Sequence, residues 1–176
     1  MIHHIRKITS LLAATALMGW CILCVMLPTP HAAAAIRQLE EIPGQVVYQS
    51  RQAIQDQRGD RWQLIAFKRI RPDGRTSMEL RIVGFPGTVQ FDRGRSLLIV
   101  PSLGPALTAP DTSSAAFSDD VVPQPHISQY DIQAALPQLP TAIPARLTLP
   151  VVNAPDRVLR LSPQLIQEWK TVADFH

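Results

Sequence analysis

Trp62-Gln63-Leu64-Ile65-Ala66-Phe67-Lys68-Arg69-Ile70-Arg71-Pro72-Asp73-Gly74-Arg75-Thr76-Ser77-Met78-Glu79-Leu80-Arg81-Ile82-Val83-Gly84 is the stretch on which the fold turns. It holds two runs of strand-forming residues around a Pro-Asp-Gly turn. Pro72 presets the first central position of a type I turn, and Gly74 takes the left-handed position that makes a three-residue loop with a bulge. That loop sets Arg71 opposite Arg75, then Lys68 opposite Met78, Ala66 opposite Leu80, Leu64 opposite Ile82 and Trp62 opposite Gly84. In this register Trp62, Leu64, Ala66, Met78, Leu80 and Ile82 share one face, with Arg69 and Arg81 on the other. A two-residue loop scrambles the faces, because a slip of one residue turns every side chain of a strand over. Trp62 over Gly84 is an aromatic ring covering a residue without a side chain.

The strand pattern continues on both sides. Val46-Val47-Tyr48 opens an extended segment to Ile54, and Asp56-Gln57-Arg58-Gly59-Asp60 is a turn by composition. After Phe85 come a break at Pro86-Gly87, a short strand over 88–92, a turn at Arg93-Gly94 and a strand over 96–100. Residues 103–125 read as loop. Asp131 caps a helical turn from Ile132 to Leu136 that Pro137 stops. Arg146 to Leu149 and Arg157 to Leu161 alternate and read as strands around a turn at Asn153-Ala154-Pro155-Asp156. Ser162-Pro163 then starts a helix in the favoured order of cap and proline, with Leu165, Ile166, Trp169, Val172 and Ala173 on one stripe. The expected fold is α+β and β-rich: an antiparallel meander sheet or partly closed barrel, with the C-terminal helix packed on it and Trp169 buried. The prolines at 137, 140, 144 and 150 suit either an extended recognition segment or, preferably, a stiffened crossover between layers.

The first 35 residues read as an export leader. Arg6 and Lys7 are followed by twenty uncharged residues, Ile8 to Leu27, then by Pro28, Pro30 and the alanines at 32–35, where A-x-A sites end the segment. Cleavage leaves a domain over 36–176; without cleavage the apolar run is long enough to act as an anchor. Neither Cys21 nor Cys24 follows the small residue that lipidation requires. The leader contains both cysteines of the chain, so residues 36–176 form no disulfide and offer no thiol to catalysis or metal. Without Arg6 and Lys7, fifteen Lys+Arg face fourteen Asp+Glu, which is too nearly neutral for a nucleic-acid-binding domain. Charge is nevertheless divided along the chain: residues 37–95 are basic and 96–176 acidic.

Chemistry-bearing residues are sparse after the leader. His126 and His176 are isolated, so no metal site is expected. There is no Gly-x-Ser-x-Gly elbow and no phosphate loop, since Gly84-Phe85-Pro86-Gly87 lacks the lysine and following helix. The carboxylate pairs Glu40-Glu41 and Asp119-Asp120 are adjacent, and neighbours on an extended chain point to opposite sides. The constellation left is Arg61, Arg69, Arg71, Arg75 and Arg81, on or near one face of the hairpin with Glu79 alone to offset them. Such a face docks an acidic partner or anionic headgroups; alternatively it keeps the sheet wet and guards its edges. Ile65, Phe67 and Val83 fall on the same face, and arginine mixed with apolar side chains is the composition of a protein interface.

Several runs resemble a cyanobacterial family of exported proteins with a domain of unknown function. They are Arg37-Gln38-Leu39-Glu40-Glu41, Pro43-Gly44-Gln45-Val46-Val47-Tyr48-Gln49-Ser50, Ala66 to Gly74, Leu80 to Gly87, Gln129-Tyr130-Asp131, Leu147-Thr148-Leu149-Pro150 and Ile166-Gln167-Glu168-Trp169. The resemblance implies a periplasmic or thylakoid-lumenal location and brings no catalytic or ligand residues. The resulting expectation is a non-enzymatic binding or accessory protein with a protein partner, such as a photosynthetic membrane complex, and no cofactor. It meets a membrane directly only if the leader stays. A small lipid- or pigment-binding barrel is the alternative, and a hydrolase-type enzyme ranks third.

Overall fold

The computed structural model describes residues 36–116 and 124–176, and the Trp62–Gly84 hairpin folds in the expected register. Arg71 N donates to Arg75 O at 2.9 Å, Gly74 takes φ 79°, and Lys68 pairs with Met78, Ala66 with Leu80 and Leu64 with Ile82. Residues 1–35, expected as a leader, and Asp119-Asp120 lie outside the described residues.

Two antiparallel sheets are built, and they do not close into a barrel. The first has the order β1 (Arg37–Ile42), β2 (Gln45–Gln55), β3 (Arg61–Ile70), β4 (Thr76–Val83), β7 (Ile127–Asp131). The second runs β6 (Leu107–Ala109), β5 (Leu97–Pro101), β8 (Ala145–Leu149), β9 (Arg157–Leu161). Helix α1 (Ser113–Ala116) precedes β7, a 3-10 turn covers Leu136–Gln138, and α2 (Pro163–Asp174) ends the fold. The proline-rich segment after Asp131 is the crossover from the first sheet to the second.

One core joins both sheets and α2. Trp62, Leu64, Ala66, Met78, Leu80, Ile82 and Tyr130 from the first sheet meet Leu97, Ile99, Leu147, Leu149, Leu159 and Leu161 from the second, with Leu165, Ile166, Trp169 and Val172 of the helix. Helix α2 lies on β2 and β3. Ser162 caps it, its Oγ accepting from Leu165 N at 3.2 Å. At the other end Lys68 Nζ donates to Ala173 O and Phe175 O, both at 2.7 Å, a cation against the negative end of the helix dipole.

The structure departs from expectation in four places. Residues 88–92 form only an isolated bridge, Phe91 to Val151, because Phe91 N is taken by Pro125 O and turns crowd both ends. The 103–125 loop contains β6 and α1. The helical turn from Ile132 to Leu136 forms, Leu136 N donating to Ile132 O and Gln133 N to Asp131 Oδ1, both at 2.8 Å, but Pro137 does not stop it and sits within the 3-10 turn that follows, where its missing N–H leaves no bond unmade. Strands β1 and β7 carry no readable alternation. All six residues of β1 are exposed. In β7 a polar residue, Ser128, faces the core, where it donates to Asp111 Oδ2 at 2.7 Å. Asp111 belongs to a strap, 110–112, that leaves β6 and pairs with β7 through Asp131 N to Pro110 O and Thr112 N to Gln129 O. The strap ties one edge of each sheet to the other.

Candidate functional site

The outer face of the first sheet carries a polar network around a buried aromatic ring. Strand pairing lines up Arg51, Ile65, Arg81 and Gln129 in one row, Gln49, Phe67, Glu79 and Asp131 in the next, and Leu39, Val47, Arg69 and Ser77 in a third. Phe67 therefore sits diagonally between two arginines. Their guanidinium carbons stand over its ring at 5.2 Å for Arg69 and 5.5 Å for Arg81. Glu79 Oε2 accepts from Arg69 Nη1 at 3.2 Å and from Gln129 Nε2 at 2.9 Å, while Gln129 Oε1 takes both Nε and Nη2 of Arg81. Glu41, reaching across from β1, accepts from Arg69 Nε at 3.0 Å.

Burial dominates the electrostatics here. It raises the Glu79 carboxyl above its ordinary range despite the neighbouring Arg69 charge. It also lowers Arg81, with Arg69 adding repulsion. At Glu41 partial burial is outweighed by the Arg69 bond and charge together with Gln45, so that carboxyl falls below its ordinary range.

The five arginines expected to act together do not converge. Arg69 and Arg81 share Phe67. Arg71 and Arg75 flank the hairpin turn, where Arg75 Nε binds Asp73 Oδ2 at 2.6 Å. Arg61 starts β3, eight residues or about 27 Å along the strand from Arg69. Glu79 is also not the sole counter-charge, since Glu41 and Asp131 join it. The sequence reading missed Gln129, Glu41 and Arg51. Arg51 was within reach of the register argument, since turn 56–60 sets Gln55 opposite Arg61 and so Arg51 opposite Ile65. Gln129 and Glu41 were not, because neither β7 nor β1 shows a strand pattern.

A second feature is a groove of about 340 Å³ at the end of the helix–sheet layer. Met78, Leu136, Pro137 and Ala173 give it apolar walls, and Lys68, Lys170 and Asp174 are its charged lining residues. Lys170 Nζ donates to Pro137 O at 3.2 Å. A charged ammonium has three protons, so one remains on Lys68 and two on Lys170 after these backbone bonds.

Other candidates resolve into structural roles. Glu40 Oε1 accepts from Gly44 N and holds the β1–β2 turn. Asp111, Ser113 and Ser128 bond to one another under the strap, with no histidine among them. Burial pushes the Tyr130 phenol up to about 12. Among the described residues no three of His, Cys, Asp and Glu converge on a point.

No curated protein and no solved structure matches the chain. One family model does, over residues 34–172, which takes in both sheets, the crossover and nearly all of α2. The chain thus belongs to the family described as a protein of unknown function, DUF3122.

Proposed function

We propose that this is a non-enzymatic binding protein that docks an acidic segment of a partner protein on the outer face of its first sheet. The observation that carries the reading is the pair of guanidiniums over Phe67. Arg69 and Arg81 are oriented by Glu79, Glu41 and Gln129, so their remaining N–H donors are ordered before a partner arrives. Preorganised arginine on an apolar floor is what interface hot spots use. Arg51, exposed in the same row as Arg81, widens the basic surface. The setting we propose is an exported compartment, the periplasm or thylakoid lumen, with a membrane complex as partner. Its support is the charge and apolar pattern of residues 1–35. No helix of the described residues is long and apolar enough to cross a membrane.

The test is capture from solubilised membranes with the full chain as bait. Arg69 is unsuitable for reversal because it carries two ion pairs of the fold. Arg51→Glu combined with Arg81→Gln removes charge while leaving Gln129 a partner. Capture should fall in this variant and with added salt, and should persist in Arg75→Glu at the hairpin tip. Undiminished capture by the double variant removes the role assigned to the face.

The groove favours a second reading, a carrier of small amphipathic anions. Trp169, Leu64 and Leu80 fill the space between helix and sheet, so the open end is where a ligand fits. Native mass spectrometry of protein from its own source should then show bound mass that Lys170→Glu reduces; a clean apo mass speaks against it.

A further inference from the structure

Strand β1 is an edge of the first sheet among the described residues. Every residue from Arg37 to Ile42 is exposed, Leu39 by 46% and Ile42 by 55%, and among the described residues β2 is its sole neighbour in the sheet. Its outer side presents a row of N–H and C=O groups that a further strand can pair. We infer that the occupant of this edge is a second copy of the same strand, paired antiparallel about a two-fold axis at Leu39.

The register follows from charge. Pairing about Leu39 sets Leu39 against Leu39 of the second copy, Gln38 against Glu40, and Arg37 against Glu41 twice over. A two-fold axis normal to the sheet keeps its faces and so passes only at a residue; moved to Gln38 it sets Arg37 against Leu39 and Ile36 against Glu40, with no ion pair. An axis at Glu40 sets two glutamates face to face. Parallel pairing in register stacks like on like. The Leu39-centred pairing alone gives an apolar centre flanked by opposite charges, and cross-strand pairs of that kind are favourable where like charges are not.

The side chains are placed for it. Arg37 and Leu39 lie opposite Gln49 and Val47, on the face that bears Arg69, and Glu41 binds Arg69, so all three share one face. Arg37 has no hydrogen bond or ion pair among the described residues. Glu41 takes both of its bonds, from Arg69 and Gln45, on Oε2, which leaves Oε1 without one; its side chain is 42% exposed. Each copy thus brings an unused cation and an unused carboxylate oxygen to the same register. The bulge between Glu40 and Ile42 leaves Glu41 without a partner on β2 and makes it the last residue this edge offers, and a two-fold pairing occupies the edge on both copies, so assembly through it stops at two.

The test uses the full chain in mild detergent, with Cys21→Ser and Cys24→Ser to exclude disulfides. Light scattering and sedimentation over a concentration series should give a reversible dimer. Arg37→Glu and Glu41→Arg, each checked for fold by circular dichroism, should each weaken it at least tenfold. Mixing these two variants should restore dimers, because positions 37 and 41, on the shared face, are then both acidic in one copy and both basic in the other. A wild-type chain that stays monomeric throughout overturns the inference. So does a dimer that neither variant weakens, or a pair of weakened variants that fail to dimerise when mixed.

Discussion

Replacing Gly84 by alanine tests the packing on which the fold reading rests. A Cβ at this position lies 2.6 Å from Val89 Cγ1 and 3.0 Å from Trp62 Cζ3, where carbon pairs are comfortable at about 3.5–4.0 Å. Trp62 cannot retreat freely. Its Nε1 donates to Asp56 Oδ2 at 3.2 Å, and Phe91 packs beside it with ring centroids 6.1 Å apart. Val89 must therefore give by about 1 Å, an overpacking that costs about 1–3 kcal/mol. Gly84 has no left-handed φ, so alanine adopts its backbone and recovers about 0.4–1 kcal/mol through the unfolded chain. The net expectation is a loss of about 1–2 kcal/mol. Val89→Ala alone removes two buried methyl groups, about 1.6 kcal/mol at ~0.8 per group. It also removes the atom that clashes, so the double variant should lie about 1 kcal/mol or more above the sum of the singles. Equilibrium unfolding in guanidinium, followed by far-ultraviolet circular dichroism, reads this as midpoints shifting at constant slope. A neutral Gly84→Ala, or strict additivity in the double variant, would refute the contact.

Three further outcomes follow from the same structure. Ser162→Ala removes the acceptor for Leu165 N and should cost about 1 kcal/mol in the same assay, with Ser162→Asp largely retaining it. Trp169→Ala vacates a fully buried position between α2 and the first sheet; a loss of about 3–5 kcal/mol and faster amide exchange in the helix are expected. Glu79 has a raised pKa, so the folded state holds its proton more tightly than the unfolded chain. Its contribution is fully present below the ordinary value of 4.5 and is lost as pH rises through the raised one. Measured against Glu79→Gln across that window, the stability of the natural chain should decline with rising pH; a difference that rises or stays flat would contradict the burial argument.

Where local chemistry overdetermined the answer, the fold was legible. Pro72 and Gly74 set the loop length, loop length set the register, and the register sorted Trp62, Leu64 and Ala66 from Phe67 and Arg69 without any knowledge of what packed above them. Ser162-Pro163 marked the start of α2 by the same kind of local rule. Strands β1 and β7 failed the alternation test for opposite reasons: β1 is exposed along its whole length, while β7 turns Ser128 inward because Asp111, seventeen residues earlier, accepts a hydrogen bond from its hydroxyl. The candidate site shared this split. Arg69 and Arg81 were placed correctly on one face, but grouping them with Arg61, Arg71 and Arg75 treated a face as though it had no length.

By itself, the sequence determined the hairpin, its faces, the capped helix and the absence of cysteine after Cys24, because each depends on residues close together in the chain or on composition. The tertiary structure alone decided that a second sheet closes over the first, that the strap 110–112 ties them, and that Glu41 and Gln129 orient the two arginines over Phe67. These arrangements join residues from about twenty to about fifty positions apart. Nothing in local propensity fixes which distant strand supplies the carboxylate or amide; packing of the shared core does.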